Sequence, residues 1–278
     1  MQTENQTWLI TGCSTGFGRH LALHLLEQGR QVVATARRLD SIQELGAYAN
    51  ATLLALDVTD ASKCSSVVSE VQRRLGRLDV VVNNAGIGYF GAVEETPASV
   101  IDRLFAVNYR GTANMIQAAL PVMRSQRRGT LANLTSIGGL CGYPAVGHYC
   151  ASKFAVEGLS DALRHEVAPL GIRVLTIEPS AFRTEWAGSA EESAETIADY
   201  EATAGRARRA YHESVGQQPG DPARAAAAIV RAIDTPNPPE RLLLGQRAYE
   251  DALRKIDNMR EEFVRWRDAA VTADFPST

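Results

Sequence analysis

Tyr149 and Lys153 stand four residues apart in the stretch YCASK. On a helix, this spacing places both side chains on one face with their Cβ atoms about 5–6 Å apart. An unperturbed phenol has a pKa of about 10, and a neighbouring cation lowers it by favouring the phenolate. The pair therefore predicts a general acid for carbonyl reduction, with Tyr149 as the proton donor and Lys153 as the activating cation. An exposed helix face also carries such pairs without any chemical role.

Other polar residues are expected to lie near this pair. Ser136 ends the predicted strand before it, where a hydroxyl can donate a hydrogen bond to a substrate oxygen on which charge develops. Ser136 is alternatively a turn or capping residue. Asn108 lies within a predicted helix, where an amide side chain competes with backbone hydrogen bonds and needs a specific reason to be present.

A glycine-rich stretch, TGCSTGFG, follows the first predicted strand and opens the first predicted helix. Gly12, Gly16 and Gly18 allow a sharp turn close to a ligand, and the helix N-terminus offers free N–H groups to a pyrophosphate. Three glycines in one turn are alternatively a matter of backbone geometry. The position directly after a strand favours a dinucleotide site, and the absence of a following GK[ST] excludes a P-loop.

The end of the second predicted strand, Ala36-Arg37-Arg38, bears on the choice of cofactor. Enzymes that use NAD usually place an acid here, whereas an arginine pairs with the 2′-phosphate of NADP. NADP is therefore favoured over NAD, unless both arginines are solvated loop residues. Asp57 ends the third predicted strand and is a candidate acceptor for the adenine amino group, or a helix cap.

Short apolar runs rich in β-branched residues alternate with helical patterns along the chain. This alternation predicts an α/β fold, a doubly wound, Rossmann-type, seven-stranded parallel sheet with helices on both faces. One linking helix is expected between successive strands, and ligands of such sheets bind beyond the carboxyl ends of the strands. The predicted strands are residues 7–13, 31–37, 52–58, 78–86, 130–137, 172–179 and 241–245.

Residues 1–278 are expected to form a single dinucleotide-binding catalytic domain. Residues 181–220 form a long connection of the kind that serves as a lid or binding loop, and we expect them to cover the substrate. The segment 247–268 carries apolar side chains at helical spacing and predicts a C-terminal helix. This helix packs on the body of the protein or covers a neighbouring subunit.

Composition and charge exclude several other classes of protein. The chain has 29 Lys and Arg against 32 Asp and Glu, a net charge of −3, so no nucleic-acid partner is expected. The four cysteines lack metal-ligand spacing, and no metal site is expected. The sequence shows no signal peptide and no apolar run long enough to span a membrane. A cytoplasmic protein is expected.

The combination of these motifs resembles the short-chain dehydrogenase/reductase family from about residue 7 to residue 245. It comprises the glycine turn, the basic end of the second strand, the stretch NNAG, Ser136 and the YxxxK pair. The resemblance implies that Asn108, Ser136, Tyr149 and Lys153 form a catalytic tetrad. In it, Asn108 holds a water that links Lys153 to solvent, and Lys153 also holds the nicotinamide ribose.

The resemblance also implies where NADP binds. Ser180 stands where the family has a glycine, which affects the loop beside the nicotinamide. A homodimer or homotetramer is expected. The implied cofactor residues are Gly12, Ser14, Thr15, Gly16, Phe17, Gly18, Arg37, Arg38, Asp57, Val58, Asn84, Ala85, Gly86, Lys153, Pro179 and Thr184.

Bulky apolar residues are frequent around the expected substrate site. They favour a hydrophobic ketone, aldehyde or secondary alcohol, or they only pack the lid. Two stretches, TGCSTGFGRHLA and EPSAFRT, are similar to the steroid- and retinoid-handling branch of the family. Other functions stay open: a non-catalytic NADP-binding regulatory module, and an epimerase or dehydratase of the extended branch, which the GxxxGxG spacing disfavours. The bulky residues are Tyr89, Phe90, Leu140, Tyr143, Val146, Phe182 and Trp186.

Overall fold

The computed structural model describes residues 6–275, so the two ends of the predicted domain 1–278 lie outside the described residues. The strands are β1 (Thr7–Ile10), β2 (Gln31–Ala36), β3 (Ala51–Ala55), β4 (Val80–Asn83), β5 (Tyr89–Phe90), β6 (Gly129–Leu134), β7 (Ile172–Pro179), β8 (Glu191–Glu192) and β9 (Arg241–Leu244). The α-helices are α1 (Gly16–Glu27), α2 (Ala61–Leu75), α3 (Ala98–Leu104), α4 (Gly111–Gln126), α5 (Gly147–Val167), α6 (Trp186–Ser189), α7 (Arg206–Glu213), α8 (Pro222–Asp234), α9 (Gln246–Arg265) and α10 (Arg267–Val271).

Seven of these strands form one parallel sheet in the order β3-β2-β1-β4-β6-β7-β9. The chain runs outward from β1 to β3, returns to β4 on the other side of β1, and then continues to the opposite edge. The order therefore reverses between β1 and β4, and a crevice opens beyond the carboxyl ends of these two strands. The predicted fold class is confirmed.

Both faces of the sheet are covered, as a parallel sheet requires. Side chains of β1 alternate between the two faces: Trp8 and Ile10 pack in the layer that contains α1 and α8, and Leu9 packs in the layer that contains α2 and α4. All three are fully buried. The sheet is therefore a rigid platform, and the residues just past its strand ends occupy fixed positions.

The observed strands overlap all seven predicted ones but several end earlier. Asn84, Gly86 and Ser136 therefore lie in loops beyond the carboxyl ends rather than inside strands. Between β2 and β3, the expected helix is a 3₁₀-helix, Leu39–Ala47. Its buried residues, Ile42 and Leu45, are three positions apart, and a 3₁₀-helix places side chains at this spacing on the same side.

Residues 181–220 contain more regular structure than a loop. They hold α6, α7 and the short strand β8, which pairs in parallel with β5. The sequence did not predict this second, two-stranded sheet, because each strand is only two residues long. The role of the segment as a lid and the division of the chain into domains stay predictions.

The C-terminal helix α9 packs on the body through small residues, not through its large apolar ones. Ala248, Asp251 and Ala252 are buried near its start. The prediction that the large apolar residues of this helix pack on the body is therefore wrong. Their packing on a neighbouring subunit stays a prediction. The exposed stripe consists of Tyr249, Leu253, Ile256, Met259, Phe263 and Trp266.

Candidate active site

A single cavity of about 550 Å³ runs along the carboxyl ends of the central strands. The glycine turn and Arg37 lie in its wall at one end, and Ser136, Tyr149 and Lys153 lie in the wall of the same cavity. The volume is within the range of about 300–1,000 Å³ found for small-molecule sites. The fold thus brings the predicted phosphate site and the predicted proton donor into one space.

The glycine turn is held against the NNAG stretch by close backbone packing. The Asn84 Nδ2 atom donates to the carbonyl oxygens of Thr11 (2.8 Å) and Gly12 (2.9 Å). A Cβ atom on Gly18 would lie 2.4 Å from Asn84 Nδ2, and one on Gly12 would lie 2.9 Å from Ala85 Cα, so neither position accepts a side chain. Gly18 therefore allows the turn and the NNAG stretch to pack closely, and it does not line the cavity.

The N-terminus of α1 is open on the cavity side and already attracts an anionic group. Gly16 has a φ of +57°, and the nearest atom to a Cβ added there is Thr184 Cβ at 3.6 Å. The Gly16 N–H donates to the Glu185 carboxylate at 3.1 Å. The Gly16 N–H, at a helix start and on a positive-φ glycine, thus holds an anionic group in this structure, and a pyrophosphate uses donors of the same kind. These residues fit a dinucleotide.

The two arginines predicted to bind the cofactor differ in their position and in their contacts. Arg37 lines the cavity, and its guanidinium has no hydrogen bond or ion pair with any described residue. Arg38 does not line the cavity and pairs with Asp40, both being exposed. Asp57 lines the cavity and accepts from the Thr59 hydroxyl at 2.7 Å, which holds the pKa of its carboxyl below the usual range. Arg37 is thus the guanidinium available to a phosphate.

The loop that follows β7 accommodates the serine that departs from the family pattern. Ser180 is not among the described residues with positive φ, so the position does not need a glycine here. Its hydroxyl donates to the Leu244 carbonyl at 3.3 Å. The opposite residue, Gly245, leaves room for that hydroxyl, because a Cβ on Gly245 would lie 2.4 Å from Ser180 Oγ.

Most of the remaining predicted cofactor residues also face the cavity. Gly18 and Arg38 are the exceptions. The predicted catalytic residue Asn108 does not line the cavity either, and it is buried behind the wall with 1% exposure. The predicted residues that line it besides those named above are Ser14, Thr15, Phe17, Val58, Ala85, Gly86, Pro179 and Thr184.

Tyr149 and Lys153 lie on the first turns of α5 and face the cavity together. The Lys153 Nζ atom is 5.8 Å from the centroid of the Tyr149 ring and donates to the Leu134 carbonyl oxygen at 2.8 Å. Ser136 caps the 3₁₀-helix Ile137–Gly139, with its Oγ accepting from the Gly138 N–H at 3.0 Å. The capping alternative for Ser136 is therefore confirmed. The residue also lines the cavity, and its role toward a substrate oxygen stays a prediction.

The electrostatics of Tyr149 differ from the sequence-based expectation. Burial raises the pKa of the phenol, and a hydrogen bond with Ser136 opposes that shift, while Lys153 makes no resolved contribution. Burial also lowers the pKa of Lys153 to about 8, and the negative charge of Glu157 opposes that shift. The expected lowering of the Tyr149 pKa by Lys153 is thus outweighed by desolvation.

A row of buried charges continues from Lys153 along α5. Glu157, one turn further on, accepts from the Thr135 hydroxyl (2.5 Å) and from Arg241 (2.5 Å). Arg241 on β9 also donates to Glu178 at 2.8 Å, and burial raises the pKa of Glu178 to about 7. This network places a negative charge behind Lys153 and was not predicted, because Arg241 is distant in sequence.

Asn108 lies in a π-helical turn, Phe105–Arg110, rather than in a regular α-helix. Its Nδ2 atom donates to the Ile87 carbonyl (3.0 Å) and the Ser152 hydroxyl (2.9 Å), and its Oδ1 accepts from the Ile87 N–H (2.8 Å). A Cβ on Gly86 would lie 3.3 Å from Asn108 Oδ1 and 3.5 Å from Lys153 Nζ. Asn108 therefore lies beside the lysine, and its water-holding role stays a prediction.

An aromatic wall surrounds the phenol. The ring of Trp186 is 5.0 Å from that of Tyr149 between centroids, and Phe90 stacks on Tyr211 at 5.1 Å. Of the seven bulky residues predicted around the substrate, Tyr143, Val146, Phe182 and Trp186 line the cavity. The other three, Tyr89, Phe90 and Leu140, do not line it, and the role of the lining residues toward a substrate stays a prediction.

Several residues of the wall were missed by the sequence-based reasoning. Gln218 is 4% exposed, and its Oε1 has no hydrogen-bond partner among the described residues. Tyr211 lies in α7, and Arg247 opens α9. Gln218 and Tyr211 lie within the predicted lid, 181–220, and this position is the signal in the sequence that could have placed them at the cavity.

The comparison with protein families decides the classification. The model for short-chain dehydrogenases matches residues 6–195. The chain belongs to the short-chain dehydrogenase family.

Similar members of the family cover nearly all of the chain. A 3-ketodihydrosphingosine reductase from Bacteroides thetaiotaomicron is 37% identical over 244 residues, 87% of this chain and 88% of that protein. The crystal structure of a short-chain dehydrogenase from Streptomyces avermitilis is 40% identical, with a TM-score of 0.89 over 98% of this chain and 100% of that chain. ElxO, solved with NADP bound, is 27% identical with a TM-score of 0.72 over 86% and 97% of the two chains.

Membership in the short-chain dehydrogenase family makes this protein an oxidoreductase of the type that uses NAD or NADP. Among residues 6–275, no group of three or more His, Cys, Asp and Glu side chains is arranged to hold a metal ion. Within the same range, no helix combines the length and apolarity needed to cross a membrane.

Proposed function

We propose that this short-chain dehydrogenase transfers a hydride between NADP(H) and a hydrophobic ketone, aldehyde or secondary alcohol, with Tyr149 as the general acid or base. The observation that carries the proposal is the shared cavity, in which Tyr149, Ser136 and Lys153 stand in one space with the glycine turn and Arg37. A non-catalytic nucleotide-binding module has no need of the first three.

Each residue has a defined task in this proposal. Ser136 orients the substrate oxygen, and the Tyr149 hydroxyl gives its proton to that oxygen as negative charge develops there. The Lys153 ammonium stabilises the phenolate left behind, and Asn108 positions the segment that holds Lys153. A bound nicotinamide would supply or accept the hydride.

The cofactor preference rests on Arg37. The pyrophosphate would lie at the N-terminus of α1, where Gly16 donates to a carboxylate, and Thr184 lies beside it. The 2′-phosphate of NADP would pair with the Arg37 guanidinium, which has no partner among the described residues. NADP in ElxO is in keeping with this choice, although other solved chains of this fold hold NAD or NADH.

The apolar character of the substrate is supported by the aromatic wall around Tyr149. Tyr143, Val146 and Trp186 offer flat, water-poor surface to a ligand. One relative of this chain is named as a reductase of 3-ketodihydrosphingosine. Assembly as a homodimer or homotetramer and a cytoplasmic location stay predictions from the sequence.

The proposed function is tested with deuterated NADPH and a panel of apolar ketones and aldehydes. We expect loss of the absorbance of reduced nicotinamide together with an alcohol product that carries one deuterium at the former carbonyl carbon. If NADPH and NADP bind but no carbonyl is reduced and no secondary alcohol is oxidised, the result would instead support a nucleotide-sensing module. A cofactor that stays bound through purification and is not consumed would favour an epimerase or dehydratase.

The buried lysine predicts a pH dependence. The pKa of Lys153 is about 8, so its side chain is charged below this pH and neutral above it. We expect the rate of carbonyl reduction to fall as the pH rises through about 8, since the phenolate then loses its stabilising charge. The pH profile of kcat/KM, which reports ionisations of the enzyme before the carbonyl binds, measures this effect, and the residual activity of Lys153→Met should lack the decline. A profile that stays flat in the native enzyme, or a decline that survives in the variant, would contradict the assignment.

A further inference from the structure

The charges that line the cavity are strongly biased toward cations. Five charged residues line it: Arg37, Asp57, Arg103, Lys153 and Arg247. Arg37 and Lys153 have tasks at the cofactor, and Asp57 is bonded to Thr59. Arg103 is paired with Glu191 at 2.5 Å. Arg247 is the remaining cation, and the proposed reaction gives it no task.

Arg247 is placed at the cavity by the start of α9, on the side of the aromatic wall. Its guanidinium carbon is 5.8 Å from the centroid of the Tyr143 ring, which also lines the cavity. Its nearest counter-ion is Asp251, at 3.5 Å between Nε and Oδ2, which is too long for a hydrogen bond of good geometry. No described residue accepts a hydrogen bond from this guanidinium.

The carboxylate of Asp251 is committed to other partners. It accepts from the Tyr143 hydroxyl at 2.6 Å and from Arg254, and it is 6% exposed. Asp251 therefore fixes the ring under Arg247, and its ion pair with Arg247, at 3.5 Å, is longer than its hydrogen bond with Tyr143. The Nη groups of Arg247 remain open to a ligand at the mouth of the cavity.

An apolar cluster connects Tyr149 with the ring under Arg247. Tyr143, Val146, Trp186 and Tyr211 pack in one cluster with Tyr149, and all of them line the cavity. A ligand whose carbonyl reaches Tyr149 would thus pass along aromatic surface before it meets a cation. The cavity thus presents a proton donor, an apolar wall and then a guanidinium. A ligand that matches this order has a carbonyl group, an apolar chain and an anionic group.

We infer that Arg247 is a specificity residue that binds a carboxylate or other anionic group at the end of the substrate distant from its carbonyl. The inference rests on the proposed carbonyl reductase function and narrows its substrate class to carbonyl compounds with an apolar chain and an anionic end. Arg247 forms charge-assisted hydrogen bonds with that end, and the bidentate geometry of a guanidinium suits a carboxylate.

The first arm of the test measures binding alone. Decanoate and methyl decanoate are titrated into the complex of the enzyme with NADP. We expect the native protein to bind the acid about tenfold more tightly than the ester, and Arg247→Met to lose this preference. The matched control is Arg260→Met, which removes an exposed cation from the same helix without touching the cavity or Asp251. It should keep the preference.

The second arm compares two reactive compounds of equal length, a methyl ketone and the keto acid with its carboxylate at the other end of the chain. We expect the ratio of kcat/KM for the acid to that for the ketone to fall about tenfold in Arg247→Met, through KM, and to persist in Arg260→Met. An acid preference that survives in Arg247→Met, or that disappears equally in Arg260→Met, would overturn the inference. If neither ketone is reduced while the binding preference still depends on Arg247, the reductase function fails and the anion site stands.

Discussion

Replacing Tyr149 by Phe should lower the rate of carbonyl reduction by about 10²–10⁴-fold, the contribution typical of general acid catalysis. The substitution removes only the hydroxyl. The ring still packs at 5.0 Å against Trp186, so the shape of the cavity is preserved. Single-turnover oxidation of NADPH with a saturating ketone measures the loss directly.

Cofactor binding serves as the control for this variant. Tyr149 is not among the residues that hold the glycine turn, so the affinity of Tyr149→Phe for NADPH, followed by fluorescence titration, should match that of the native enzyme. Ser136→Ala should lose less activity, because it orients the substrate but transfers no proton. Retained turnover in Tyr149→Phe would show that another group donates the proton.

Arg37→Asp is expected to have the second largest effect, on the choice of cofactor. The variant exchanges a guanidinium that has no partner among the described residues for a carboxylate that repels the 2′-phosphate. We expect NADPH to bind about 100-fold more weakly, since one charge-assisted bidentate pair is lost and a like charge is added. NADH has no 2′-phosphate, and its affinity should change little.

The neighbouring arginine provides a matched control for this experiment. Arg38 carries the same charge one residue away, but it pairs with Asp40 and does not line the cavity. Arg38→Asp should therefore leave the ratio of NADPH to NADH affinity nearly unchanged. Equal losses in the two variants would mean that the field of the loop, and not a direct contact of Arg37, determines the preference.

Local rules explain what the sequence predicts well. The seven strands were identifiable because buried parallel strands are continuous apolar runs, and the position of ligands beyond their ends follows from the topology. Tyr149 and Lys153 share a face because helix geometry dictates it. Gly12 and Gly18 are constrained by atoms of the NNAG stretch, and that contact is implied by the adjacency of β1 and β4.

The features that escaped prediction depend on packing between distant segments. The pKa of Tyr149 depends on how deeply the cavity wall buries the phenol, and Trp186 of that wall belongs to the predicted lid. Arg247 reaches the cavity only because small residues, Ala248 and Ala252, bring the start of α9 close to the body. A helical pattern of large apolar residues pointed to the opposite face, which is exposed.

The buried link between α5 and the last strand has a consequence for assembly of the enzyme. Arg241, on the edge strand β9, lies between Glu157 and Glu178 and is the guanidinium that separates these two carboxylates. Without β9, the buried carboxyl groups of Glu157 and Glu178 would lose the guanidinium that both of them bind, and Glu157 lies one helical turn from Lys153. The edge strand of the sheet is thereby linked to the surroundings of the reaction centre through the Arg241 side chain.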